Sequence, residues 1–93
     1  MILGTLQIEM TIPGSASLKE KRFVLQSIKT KLRNKFNVSV AETQYQDKWQ
    51  RAVIAIAAVS NSKTHIEETL QTVLSFVEKD DRLEIVDSLT EIF

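Results

Sequence analysis

The stretch AVIAIAAV, Ala52 to Val59, is apolar at every position. A short apolar run bounded by polar residues is a strand buried on both faces, and so an interior strand of a sheet. In a chain of 93 residues such a strand needs neighbours on each side, and the flanking sequence supplies them. Upstream, Val38 to Tyr45 reads as a strand, joined to the run by the polar connection Gln46 to Gln50. A link that short predicts an antiparallel hairpin. Downstream, Asn61, Ser62 and Thr64 offer caps for a helix. Its apolar stripe is Ile66, Leu70, Val73 and Val77, with Leu74 beside it, and Glu67, Glu68 and Glu78 face away. Lys79 to Arg82 is a charged turn. Leu83 to Phe93 mixes charged and apolar residues as edge strands do.

The N-terminal part completes the pattern. Ile2, Leu6, Ile8, Met10 and Ile12 alternate with Thr5, Gln7, Glu9 and Thr11, which predicts a strand with one buried face. Pro13 and Gly14 end it. SLKEKRFVLQSIKTKLRNKF, Ser17 to Phe36, then reads as an amphipathic helix. Ser17 is its N-cap, and Glu20, three residues on, completes a capping box. Leu18, Leu25, Ile28, Leu32 and Phe36 share one face, and Asn37 is the expected C-cap. The order strand, helix, strand, strand, helix, strand, with right-handed crossovers, predicts an α+β ferredoxin-like βαββαβ sandwich. It is a four-stranded antiparallel sheet with both helices on one face, formed by residues 1–93 as one domain. The Ala52–Val59 strand should lie centrally, beside the first.

Composition narrows the functional classes. With no cysteine, disulfides, thiolate zinc sites, iron–sulfur ligation and Cys nucleophiles are excluded. The segment MILGTLQIEM has neither a basic n-region nor a small-residue cleavage site, and no run reaches the ~20 apolar residues that span a bilayer. The expectation is a cytoplasmic protein away from membranes. The formal net charge of zero hides a polarity. Lys19, Lys21, Arg22, Lys29, Lys31, Arg33 and Lys35 crowd the first helix, opposed there only by Glu20. From Lys63 onward acids dominate.

At 100° per residue, Lys19, Arg22, Lys29 and Arg33 fall within about 80° of one another, flanking the apolar face. Local physics disfavours the arrangement. Cations in the first turn oppose the helix dipole by about 0.3–1 kcal/mol each, and like charges one turn apart repel. A phosphate backbone relieves both. On this reading Lys19, Lys21, Arg22, Lys29 and Arg33 are nucleic-acid contacts. The competing reading is a solvated face paired with Glu67, Glu68 or the C-terminal acids.

Phe23 projects opposite the apolar stripe, as an ordinary exposed aromatic or as a base-stacking group. Trp49, in the hairpin connection, is expected to cap one end of the core, with a cation–π contact to Arg51 or Arg22 as the alternative. The free sheet face should show Thr5, Gln7, Glu9, Val53, Ala55, Ala57 and Val59. It lacks the aromatics of an RNA-recognition-motif surface. Its small flat residues suit sheet-on-sheet packing, so a homodimer through this face is a second reading. His65 is alone and reads as a surface residue, Asp80 and Asp81 lack calcium-loop spacing, and Gly4 and Gly14 form no phosphate loop. No catalytic residue, metal or cofactor is expected.

SLKEKR (Ser17–Arg22), RNKFNVSVAE (Arg33–Glu42), DKWQRA (Asp47–Ala52) and the pair Ser60–Asn61 resemble the YlxP-like family. This is a bacterial family of small domains of unknown function. The resemblance covers nearly the whole chain. It implies a ferredoxin-like fold, a cytoplasmic protein and, more loosely, an association with translation. It brings no catalytic residues. Ala16 stands where the family is associated with a larger polar residue, so no role carries over to that position. The combined expectation is a non-enzymatic binding module that docks on structured RNA, ribosomal RNA or a ribosomal subunit.

Overall fold

The computed structural model describes residues 1–93. Six elements follow in order: β1 (Ile2–Thr11), α1 (Leu18–Lys35), β2 (Ser39–Gln44), β3 (Arg51–Ser60), α2 (Lys63–Glu78) and β4 (Glu84–Ile92). The sheet runs β2-β3-β1-β4, and every neighbouring pair is antiparallel. This is the ferredoxin-like arrangement, with β3 and β1 at its centre. Alternation sets what faces the helices. Leu6, Ile8 and Met10 are fully buried, as are Ile54 and Ile56 opposite them, while Gln7 between them is exposed. Leu25, Ile28 and Leu32 of α1, and Ile66, Leu70, Val73 and Val77 of α2, close the core. Each such side chain contributes about 1.5–3 kcal/mol on leaving water.

Gly4 fixes how closely α2 approaches β1. A Cβ there would collide with Ile66 and stand 3.0 Å from a Leu70 methyl. The residue is glycine because two backbones meet there, not because of a turn.

The helix starts follow the capping signals. Ser17 Oγ accepts the Glu20 N–H at 3.2 Å, and Ser62 Oγ accepts that of His65 at 3.2 Å. The reciprocal bond of the first cap goes one residue further upstream than expected, from the Ala16 N–H to the Glu20 carboxylate. The end of α1 differs from expectation. The cap is Phe36, in an extended conformation, and its N–H donates to the Leu32 carbonyl at 2.9 Å. Asn37 takes no left-handed conformation. The Phe36 ring packs edge-on against Phe76 with centroids 6.1 Å apart, so a tertiary contact rather than a local αL turn directs the chain out of the helix. Two bulges also lay outside the sequence pattern. Thr43 in β2 and Val86 in β4 are the extra residues where the registers shift. β2 stops at Gln44 because Tyr45 turns away with φ 62°.

Candidate nucleic-acid interface

The charged side chains of α1 divide into two populations. On the outer flank, Lys19 and Arg22 are exposed and Lys29 half-buried. None of the three makes a protein hydrogen bond or an ion pair: the molecule's ion pairs are Lys21–Glu42, Arg51–Glu9 and Arg82–Asp80. Glu67, Glu68 and the C-terminal acids form no ion pair with the stripe. Arg33, at the far end, donates to the Val40 carbonyl at 2.8 Å. It is anchored to the outer edge of β2 with its remaining N–H groups free. Phe23 stands 72% exposed nearby.

Lys21 requires a correction. Expected among the phosphate contacts, it has no exposed surface at all. Its Nζ lies 2.6 Å from the Tyr45 carbonyl, 3.1 Å from that of Arg51 and 3.0 Å from Glu42 Oε2, with the Gln46 carbonyl at 3.5 Å. An ammonium has three protons to donate, and the hairpin consumes them. Lys21 therefore ties α1 to the β2–β3 hairpin. The left-handed Tyr45 is part of the same device. A non-glycine residue in that region carries a penalty of about 1–2 kcal/mol, and the conformation aims its carbonyl at Nζ. The Arg51 guanidinium, 4.3 Å above the Tyr45 ring, holds it from the other side. Arg51 also donates to Glu9 at 2.6 Å, and this bond raises its pKa above the ordinary guanidinium value.

Trp49 does not cap the core. It is 55% exposed, and the cation–π partner of Arg51 is Tyr45 instead. Lys31 and Lys35 lie on the inner flank with Phe76, Lys79, Asp80, Asp81 and Arg82, around a groove of about 440 Å³. The charge of that groove is mixed. Arg82 chelates Asp80 through Nε at 3.0 Å and through a second nitrogen at 2.6 Å, and also reaches Ser27 Oγ at 3.2 Å. The bond to Arg82 holds the Asp80 carboxyl below its usual range. Lys35 sits 4.8 Å over the Phe76 ring. The lysines of neither flank form an ion pair, but on the inner one Lys31 and Lys35 share the groove with Asp80 and Asp81. No group of three or more His, Asp and Glu side chains converges as a metal site requires. No helix is long and apolar enough to cross a membrane.

These positions lie within a matched family. Residues 3–90 fit the family described as "Protein of unknown function (DUF503)". The chain belongs to this family. It is also similar to the uncharacterized protein YlxP of Bacillus subtilis (strain 168), with 46% identity over 92 residues, covering 99% of this chain and 100% of that protein. The family span contains both populations of α1 cations, the buried Lys21 with its hairpin partners and the exposed flank.

Proposed function

We propose that this protein is a non-enzymatic binding module that docks on structured RNA, ribosomal RNA foremost, through the outer flank of α1. One observation carries the reading. Lys19, Arg22 and Lys29 share a face, Lys19 and Arg22 exposed and Lys29 half-buried, and form no ion pair, although Lys19 lies in the first turn of a helix whose dipole repels it. With Arg33 they provide about four phosphate contacts. Such contacts position a protein on a nucleic acid without reading its sequence. Phe23 supplies a stacking surface beside them. A binding module is favoured over an enzyme because the one buried cation, Lys21, is fully engaged in holding the hairpin.

The test is association with ribosomal subunits, measured by co-sedimentation across a salt series. About four neutralised phosphates give a log–log salt slope of roughly −3 to −4. The variant Lys19→Glu, Arg22→Glu, Lys29→Glu removes three of them and reverses their sign. Its affinity should fall by about a hundredfold or more with the urea midpoint not lowered. Undiminished binding by that variant would sink the proposal.

A further inference from the structure

The face of the sheet turned away from the helices has two unlike halves. On β1 and β4 it carries long side chains, Thr5, Gln7 and Glu9 beside Asp87, Leu89 and Glu91. On β3 and β2 it carries short ones, Val53, Ala55 and Ala57 beside Ser39 and Ala41, with Gln44 at the end. The registers set these in rows: Glu91–Thr5–Ala57–Ser39, then Leu89–Gln7–Ala55–Ala41, then Asp87–Glu9–Val53–Gln44. Leu89 stands 53% exposed and Val59, beyond the first row, 55%. Charge divides the same way. All the acids of this face lie on the long half, and its one cation, Arg51, lies on the short half.

We infer that a second copy of this chain covers the face, related by a two-fold axis that runs along the strands between β1 and β3. That operation keeps each row and reverses its columns, so the long half of one copy lies on the short half of the other. Gln7 then covers Ala55, Thr5 covers Ala57, and Leu89 covers Ala41. Glu91 meets Ser39 and Asp87 meets Gln44, while Glu9, already neutralised by Arg51 of its own copy at 2.6 Å, meets Val53. No acid opposes an acid. A two-fold across the strands, reversing the rows about Gln7, instead sets Glu91 against Asp87 and loses this match. Sheets stacked this way lie within about 30° of alignment, the ordinary sandwich geometry. Four strands about 4.8 Å apart and eight residues at about 3.4 Å give roughly 500 Å² of flat area per copy. Both copies together reach the low end of specific interfaces, the class of weak, reversible associations. Both α1 flanks stay in solvent, so this inference stands or falls apart from the RNA reading.

Sedimentation equilibrium of the full chain tests it. The unmutated protein should show a monomer–dimer equilibrium. Ala41→Asp, on a solvent-facing edge strand, should weaken it by about tenfold or more, because it buries a charge against Leu89 of the other copy. Adding Leu89→Lys should restore it. Within one copy these positions are three strands apart, about 14 Å, beyond the screening length of about 8 Å at physiological salt. Recovery therefore reports contact between copies. A monomer at every concentration up to millimolar, an Ala41→Asp variant that dimerises unchanged, or a double variant that fails to recover would each overturn the proposal.

Discussion

Lys21 and Arg22 are neighbours in the chain and opposites in the structure. One has no exposed surface and lies among three backbone carbonyls and a carboxylate. The other stands in solvent without a partner. The helix turns about 100° between them, and that rotation separates a structural cation from one available to a ligand. Charge density along a helix therefore measures nothing by itself. What matters is which cations already have oxygen around them. Lys21, Arg51 and Arg82 have an acid of their own, whereas Lys19, Arg22 and Lys29 do not.

The sharpest way to break that contrast is to remove the enclosed member. Lys21→Ala leaves the Glu42 carboxylate, 16% exposed, and the carbonyls of Tyr45 and Arg51 without their donor. Taking one partner from a buried pair costs about 3–5 kcal/mol. Urea unfolding should show a loss of that size, with the β2–β3 hairpin the first part to lose amide protection. A loss under about 1 kcal/mol would mean that water replaces the ammonium and that Lys21 is no staple. Arg22→Ala, one position along, should fall within about ±0.5 kcal/mol, as exposed substitutions do.

The position of Lys21 was partly legible. Leu18, Lys21, Leu25, Ile28 and Leu32 follow one another by three or four residues, so Lys21 stands inside the apolar stripe rather than beside it. A lysine at such a position is a buried cation in want of an acid. Its partners were not legible. Glu42, Tyr45 and Arg51 lie on the hairpin, brought there by tertiary packing and by a positive φ at Tyr45 that no local rule specifies. The strands were readable because a period of two survives wherever one face meets the core, as Leu6, Ile8 and Met10 show. Val53 shows the limit. Alternation puts it on the free face, yet it is only 5% exposed, in a row with Glu9 and Gln44. Trp49 shows another limit: its place in the hairpin connection suggested a core cap, yet it stands 55% exposed. The end of α1 escaped for a similar reason, since the contact of Phe36 with Phe76 joins residues forty positions apart.

A smaller effect separates the enclosed cations among themselves. Arg82 depends on Asp80, whose carboxyl is held below the ordinary value of 3.8 chiefly by the hydrogen bond from Arg82. A carboxyl with a lowered folded-state pKa contributes stability above its unfolded value, and loses it as pH falls through the folded one. Stability should therefore decline below about pH 4, and part of that decline should vanish in Asp80→Asn. Both groups keep some solvent contact, so the pair is worth no more than about 1 kcal/mol. Thermal unfolding of the two proteins at a series of acid pH values decides it. Parallel curves would mean that Arg82 owes its place to Ser27 alone.

The smallest effect is also the most direct probe of why the outer flank is basic. Lys19 is the second residue of α1, where exposed backbone N–H groups and the helix dipole favour an anion. Exchanging it for glutamate removes a repulsion and adds an attraction. Lys19→Glu should make the protein more stable, by about 0.5 kcal/mol at low ionic strength, with the gain shrinking as salt rises. A residue kept for stability would not behave so. If the same substitution weakens RNA association as it raises the urea midpoint, the lysine trades fold stability for an anionic ligand. A variant that loses stability instead would show that Lys19 has a partner in its own chain, and the division between enclosed and free cations would have to be redrawn at the first turn of α1.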